Sequence, residues 1–340
     1  MVICSKAPFH IGLAGGGTDV SPFCDLFGGA IVNTTISLFA HARIEVRGEQ
    51  IIIKATDRNE RQVFDLSENL PINGVLDLHK AVYNRLQKDY DLPVRGFHIT
   101  TATDAPAGSG LGTSSTLVVS ILGAFLKMYE MEMRPHAVAQ YAYNIERIDL
   151  GFSGGRQDQF AASFGGFNFM SFEADNRASI VPIKLKEDYK NLLQKNLLLY
   201  FTNSSRNSAS IIDEQVENVV NKHESSISAM HYLKKQALIM QQMMHVGQPD
   251  ELGSLLDFGF RQKKNMARHI TNERIDILYK AALDAGATGG KISGAGGGGF
   301  MVFYCPGITR ENVVNALLPF GGAVKEFVFV SQGLTTWKED

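Results

Sequence analysis

Apolar and polar residues alternate over residues 30–55, "AIVNTTISLFAHARIEVRG" and then "IIIKAT". A period of two with many β-branched residues predicts a meander of strands. Across 75–89, "VLDLHKAVYNRLQKD", the apolar spacing becomes helical. "GFHITTAT" (96–103) reads as a strand, followed by a glycine-rich loop and a helix to about Tyr129. Pro135 suits the first turn of a further helix over 135–149. "FGGFNFMSF" (164–172) reads as a strand closing a first half, residues 1–178. In the second half, 179–340, "NLLLYFT" (196–202) is a buried-type strand. A long helical region is expected from about Ser208 to Met244, with Ile212, Val216, Val219 and Val220 at helical spacing. "DELGSLLDFGFRQKKNM" and "RIDILYKAALDAGA" predict two more helices. "GGKISGAGGGGFMVFYC" and "VKEFVFVSQG" read as strands. The irregular mixture points to an α+β fold and not to a doubly wound sheet, and 340 residues suit two packed halves with a cleft between them.

Bulk properties narrow the function. A net charge of −2 gives no basic field for nucleic acid or an anionic membrane. No stretch reaches the ~20 apolar residues of a membrane span. The amino-terminal "MVICSKAPFHIG" is too short an apolar run for a signal peptide. Cys4, Cys24 and Cys305 are scattered and odd in number, which fits reduced thiols and a cytoplasmic location. Glycine stands out, because the 33 residues gather in "AGGGTD" (14–19), "AGSGLG" (107–112), "GFSGGRQDQ" (151–159) and "GGKISGAGGGG" (289–299). Each cluster sits beside polar or charged residues, a pattern that tight turns alone explain poorly.

"PAGSGLGTSS" has the physics of a diphosphate cradle. Gly108, Gly110 and Gly112 let the backbone approach a ligand, and Thr113 and Ser114 open a helix whose free N–H groups favour an anion. The loop carries no Walker lysine. Its glycines read G-x-G-x-G, and no strand ending in an acidic residue follows, so the dinucleotide fingerprint also fails.

"PAGSGLGTSS" resembles the central motif of the GHMP kinases, the family of galactokinase, homoserine kinase and mevalonate kinase. "KAPFHIGLAGGGTD" (6–19) resembles the family's first motif and "KISGAGGGG" (291–299) its third. Three motifs in order span nearly the whole chain. The resemblance implies a ribosomal protein S5 domain 2-like first half, a ferredoxin-like second half, and ATP with Mg²⁺. It assigns ATP binding to Pro106, Ala107, Gly108, Ser109, Gly110, Leu111, Gly112, Thr113 and Ser114, and the metal to Ser114 and Glu146. Asp158, in "GGRQDQ", takes the position of the catalytic base; on local sequence alone it serves equally as a helix cap. His10 stands where relatives carry a lysine or arginine, so either a nearby anion keeps it protonated or the charge comes from Lys6, Arg156 or Arg206. Asp19 matches a residue that accepts from sugar hydroxyls, with Lys6, Gly16, Gly17, Arg206 and Gly296 as further substrate contacts.

"AGGGTDV", "GGRQDQFAASFGG" and "FTNSSRNSASIIDEQ" look most like the sugar branch that phosphorylates an anomeric hydroxyl, acting on a sugar that already bears a phosphate. That acceptor demands extra cations. "NSSRNS" (203–208) offers Arg206, and "FRQKKN" (260–265) offers Arg261, Lys263 and Lys264 or simply a solvated basic helix face. Other sugar or isoprenoid kinases of the family, a sugar sensor without turnover, and a homodimer remain open from sequence.

Overall fold

The computed structural model describes residues 1–204, 208–249 and 251–339. The first half contains β1 (Val2–Ala14), α1 (Phe23–Phe27), β2 (Gly29–Val46), β3 (Gln50–Ala55), β4 (Glu60–Asp65), α2 (Asp77–Tyr90), β5 (Phe97–Thr103), α3 (Thr113–Met128), α4 (Pro135–Asn144), α5 (Gln157–Phe164), β6 (Phe167–Phe172) and β7 (Ala178–Pro182). Then follow α6 (Glu187–Asn196), β8 (Leu197–Phe201), α7 (Ser208–Val220), α8 (Glu224–Val246), α9 (Leu252–Lys263), α10 (Glu273–Asp284), β9 (Gly289–Ile292), β10 (Phe300–Tyr304), α11 (Thr309–Leu317), β11 (Ala323–Val324) and β12 (Thr335–Glu339).

An eight-stranded sheet runs β12-β1-β2-β5-β3-β4, with β6 on β2 and β7 on β6; only β3 and β5 pair in parallel. β1 is buried almost without interruption because both its faces are covered. On one side α3, apolar nearly all round through Val118, Ile121, Leu122 and Phe125, fills a core with α2. On the other, α8 and the second sheet close a core around Phe9, Ile11, Leu13 and Met240. β2 shows both regimes. It is continuously buried over its first eight residues and alternates thereafter, where one face meets solvent. The second, antiparallel sheet runs β11-β8-β10-β9 and is backed by α9, α10 and α11. The mixed α+β expectation is met.

Several elements differ from the sequence reading. "VKEFVFVSQG" is not a strand beyond β11. It runs as a strap whose Phe327 and Phe329 are buried in the core between the halves. Its backbone is bound to β2, with Ser37 N donating to Val328 O (2.8 Å) and Val330 N to Thr35 O (3.1 Å). The strap has room because β1 and β2 shift register between Pro8 and His10: Pro8 faces Phe39 while His10 faces Thr35. The bulged stretch of β2 turns to the strap, and the irregularity lies beside His10. The chain then returns to the first sheet, where β12 pairs with β1 over Val2–Lys6. The single helix expected over 135–149 is α4 plus one π-helical turn, Ile145–Asp149. The long helical region is two helices, parted where Lys222 takes a positive φ of 57°.

Candidate active site

A cleft of about 810 Å³ opens between the halves, within the range of small-molecule sites. All four glycine clusters reach it. β1 and the turn after it bring His10, Gly12, Gly16, Gly17 and Asp19; the loop before α3 brings Ala107, Gly108, Gly110, Gly112, Thr113 and Ser114. The π turn brings Glu146, the start of α5 brings Asp158, and the second half brings Lys263, Lys291 and Gly294.

The phosphate loop is built by close packing. A Cβ on Gly110 would stand 2.6 Å from Ser293 O, so the loop lies backbone to backbone on the third motif. Gly112 has a φ of +74°, and a Cβ there would stand 2.8 Å from His10 Cε1 and 3.0 Å from Asp158 Cγ. A side chain at 112 would therefore displace both groups and strain the backbone. Ser109 and Leu111 face inward, and Pro106, though exposed, does not line the cleft. Ser109 O accepts from Phe300 N (2.8 Å), and buried Leu111 contributes about 1.5–3 kcal/mol of anchoring.

Ser114 and Glu146 come together as the resemblance implies, Ser114 Oγ donating to Glu146 Oε1 at 3.0 Å. Glu146 is fully buried, and its other oxygen accepts from Gln159 Nε2 at 2.5 Å. Arg147 NH1 stands 3.7 Å from Glu146 Oε1. The π turn aims Glu146 and Arg147 inward, a use such turns often have at functional sites. A hydroxyl and a carboxylate within 3.0 Å of each other suit magnesium, which takes few protein ligands and completes its shell with water and phosphate oxygens. Among the described residues no cluster of three or more His, Cys, Asp or Glu competes with this pair.

Asp158 Oδ1 lies 3.2 Å from His10 Nε2. His10 is 4% exposed and its Nδ1 has no partner, so its Nε2–H is the group that donates to Asp158. Asp158 keeps 32% of its side chain open to the cleft. Burial raises the pKa of its carboxyl, but the hydrogen bond and charge of His10, with Arg147 and Lys263, outweigh it and hold the group below the ordinary carboxylate range. Asp158 is thus an ionised oxygen base at a reachable position.

Asp19 is 1% exposed and already engaged. Its Oδ2 accepts from Arg156 N (2.8 Å) and Gln157 N (2.9 Å), and its Oδ1 from Gln157 Nε2 (3.2 Å). These bonds hold the start of α5, which presents Asp158. Burial drives the pKa of Asp19 upward against the lowering effect of its backbone donors.

Other expected contacts lie elsewhere. Lys6 Nζ sits over the Phe39 ring at 4.8 Å, outside the cleft lining. Gly296 also lies off the lining, packed on Ile270. Arg156 is tied to Asp25 (3.0 Å) and to Glu173 O. Arg206 lies outside the described residues. Of the three cations in "FRQKKN", Arg261 pairs with Asp257 and Lys264 with Asp276, whereas Lys263 is buried in the cleft. Lys291 and Arg147 escaped the sequence reading. Lys291 carried a usable signal: a charge inside a strand of small and apolar residues needs a partner or a role. Burial pushes the ammonium of Lys263 down to about 8, with Asp19 and Asp158 pulling it back up. Burial and then repulsion from Lys263 push Lys291 down to about 7.

Comparison with known proteins agrees with this geometry. The model for the GHMP kinases N terminal domain matches residues 77–166, and that for GHMP kinases C terminal matches 234–322. The chain is 38% identical over 99% of its length, and 99% of the other's, to D-glycero-alpha-D-manno-heptose 7-phosphate kinase of Campylobacter jejuni. The crystal structure of a D-glycero-D-manno-heptose 1-phosphate kinase from Bacteroides thetaiotaomicron superposes with a TM-score of 0.85 at 38% identity, covering 99% of both chains. Lactococcus lactis galactokinase shares the fold at a TM-score of 0.76 and 18% identity, over 98% of this chain and 95% of that one. With its two sheets, its cleft and its motifs in their places, the chain belongs to the GHMP kinase family.

Proposed function

We propose that the chain is an ATP- and magnesium-dependent sugar kinase that phosphorylates the anomeric hydroxyl of D-glycero-D-manno-heptose 7-phosphate, giving the 1,7-bisphosphate. The observation that carries this reading is the placement of Asp158. It is an ionised carboxylate, held by His10 against Gly112 of the phosphate loop and open to the cleft. The two relatives at 38% identity are named as kinases of a heptose 7-phosphate and a heptose 1-phosphate, so a phosphorylated heptose is common to both.

In this reading the loop from Ala107 to Ser114 receives the phosphates of ATP through backbone N–H groups and the start of α3. Ser114 and Glu146 would hold magnesium, which would supply neutralisation of phosphate charge. Arg147 adds a fixed cation beside them. Asp158 takes the proton of the acceptor hydroxyl as its oxygen bonds to the γ-phosphorus. The bond from that phosphorus to the bridging oxygen breaks, and ADP leaves. His10 orients Asp158 and leaves the permanent charge to Arg147. Asp19 acts mainly through α5, with its edge at the acceptor.

The test is a kinase panel over heptose 7-phosphate, fucose, galactose and mannose, read by ADP release. Turnover of heptose 7-phosphate ahead of the free sugars is expected. Turnover of a free sugar with none of the heptose phosphate would reject the substrate while leaving the kinase fold intact.

A further inference from the structure

Lys263, from the end of α9, and Lys291, from β9, come from elements that are not neighbours in sequence, yet both ammonium groups meet at the first motif. The site a side chain would fill at Gly16 stands 3.9 Å from Lys263 Nζ and 3.9 Å from Lys291 Nζ. Both lysines are buried, at 4% and 6% exposure, and both line the cleft. Their protein partners are backbone carbonyls. Lys263 Nζ donates to Gly294 O, and Lys291 Nζ to Gly12 O at 2.6 Å. Among the described residues neither forms an ion pair with a carboxylate. Asp19 and Asp158 offset part of the burial cost of Lys263, and for Lys291 burial is compounded by repulsion from Lys263, so a bound dianion lowers the cost of holding the two ammonium groups away from water. Each lysine still has donors to spare after its carbonyl contact.

Their position tells which anion. Asp158 feels the charges of both Arg147 and Lys263. Arg147 stands with Glu146 and Ser115, on the side of the metal pair and α3. The lysines instead converge on Gly16, whose missing side chain leaves the space between them open.

We propose that Lys263 and Lys291, with the gap at Gly16, form the subsite for the phosphate group already carried by the sugar acceptor and set the preference for phosphorylated over free sugars. This rests on the reading of the chain as a sugar-phosphate kinase. The depressed basicity of both lysines fits a pair that takes up a proton as the dianion binds.

The experiment compares kcat/KM for heptose 7-phosphate and for the same heptose without its phosphate, in the wild type and in Lys263→Met, Lys291→Met and the corresponding arginine variants. Wild-type preference for the phosphorylated sugar is expected to shrink by about 100-fold in the methionine variants, mostly through KM, and to recover in part with arginine. Nucleotide binding of each variant, followed by ATP-induced rise in Tm, confirms that the fold stands. Equal losses on both sugars would overturn the proposal and place the pair on the transferred phosphate. An unchanged ratio would overturn it as well. A wild type that turns over no sugar phosphate is a different result, and it would fell the functional reading itself.

Discussion

Glu146 and Asp19 in the first half are buried carboxylates wrapped in donors, four of them from Ser114, Gln159, Arg156 N and Gln157 N. Lys263 and Lys291 in the second half are buried ammonium groups whose hydrogen bonds, among the described residues, go to backbone carbonyls. Glu146 and Asp19 take their hydrogen bonds from donors of their own half, whereas the two ammonium groups, beyond the field of Asp19 and Asp158 on Lys263, leave charge to be completed by a ligand. The carboxylates therefore stay where the fold puts them, fit to hold a metal or a helix terminus, while the lysines gain most when an anion arrives. Asp158 is the exception on the acidic side. It is held by His10 yet remains open to the cleft, as a proton acceptor must.

The largest break in this comparison is Asp158→Asn. We expect kcat to fall by about 10³–10⁴-fold while ATP still raises Tm, because the amide keeps the shape and loses the base. Retained turnover would move the base elsewhere. Next comes Glu146→Gln, expected to lower activity by about 100-fold at limiting magnesium, with part recovered as magnesium is raised. A uniform loss at every magnesium concentration would make Glu146 a structural carboxylate only. Replacing His10 with Gln should cost about 10-fold in kcat through misplacement of Asp158. It should also shift the acid limb of the pH profile. The native carboxyl is held below its usual range, so the base stays ionised through mildly acidic pH, and activity falls only as pH drops through that lowered pKa. Loss of the His10 contact raises the pKa of the carboxyl, and the limb moves to higher pH. An unmoved limb would remove His10 from the account of Asp158. The smallest effect is the pH dependence expected of the native lysines. Their free-state basicity lies near 8 and 7, and an anion binds the protonated forms. KM for heptose 7-phosphate should therefore rise several-fold (about 3–10) between pH 7 and 9, with a flat KM for the unphosphorylated sugar. Parallel curves would show that the pair does not meet the acceptor's phosphate.

The same contrast explains what the sequence made legible. The phosphate loop, the glycine clusters and Ser114 are local patterns, in which neighbours along the chain are neighbours in space. β5, α2, α3 and β8 were equally legible from their periods. β1 was not, because a strand covered on both faces has no alternation to read. The strap over 327–330 mimics a strand in composition, yet its phenylalanines serve a junction that only the folded halves create. In "FRQKK" three cations look alike, and only α9's packing sends Arg261 to Asp257, Lys264 to Asp276 and Lys263 into the cleft. Glu146 and Asp158 were assigned by family resemblance. Their partners Gln159 and His10 come from α5 and β1, elements other than those that carry Glu146 and Asp158 respectively, so no spacing could reveal the contacts.

The central claim is that Asp158 delivers an acceptor hydroxyl to the γ-phosphate of ATP at the anomeric end of a phosphorylated heptose. Phosphorus NMR of the products from ATP, magnesium and heptose 7-phosphate tests it most directly. A new anomeric phosphate signal beside the retained 7-phosphate is expected, formed by the wild type and absent with Asp158→Asn. A signal at a different position, or the same product from both proteins, would contradict it.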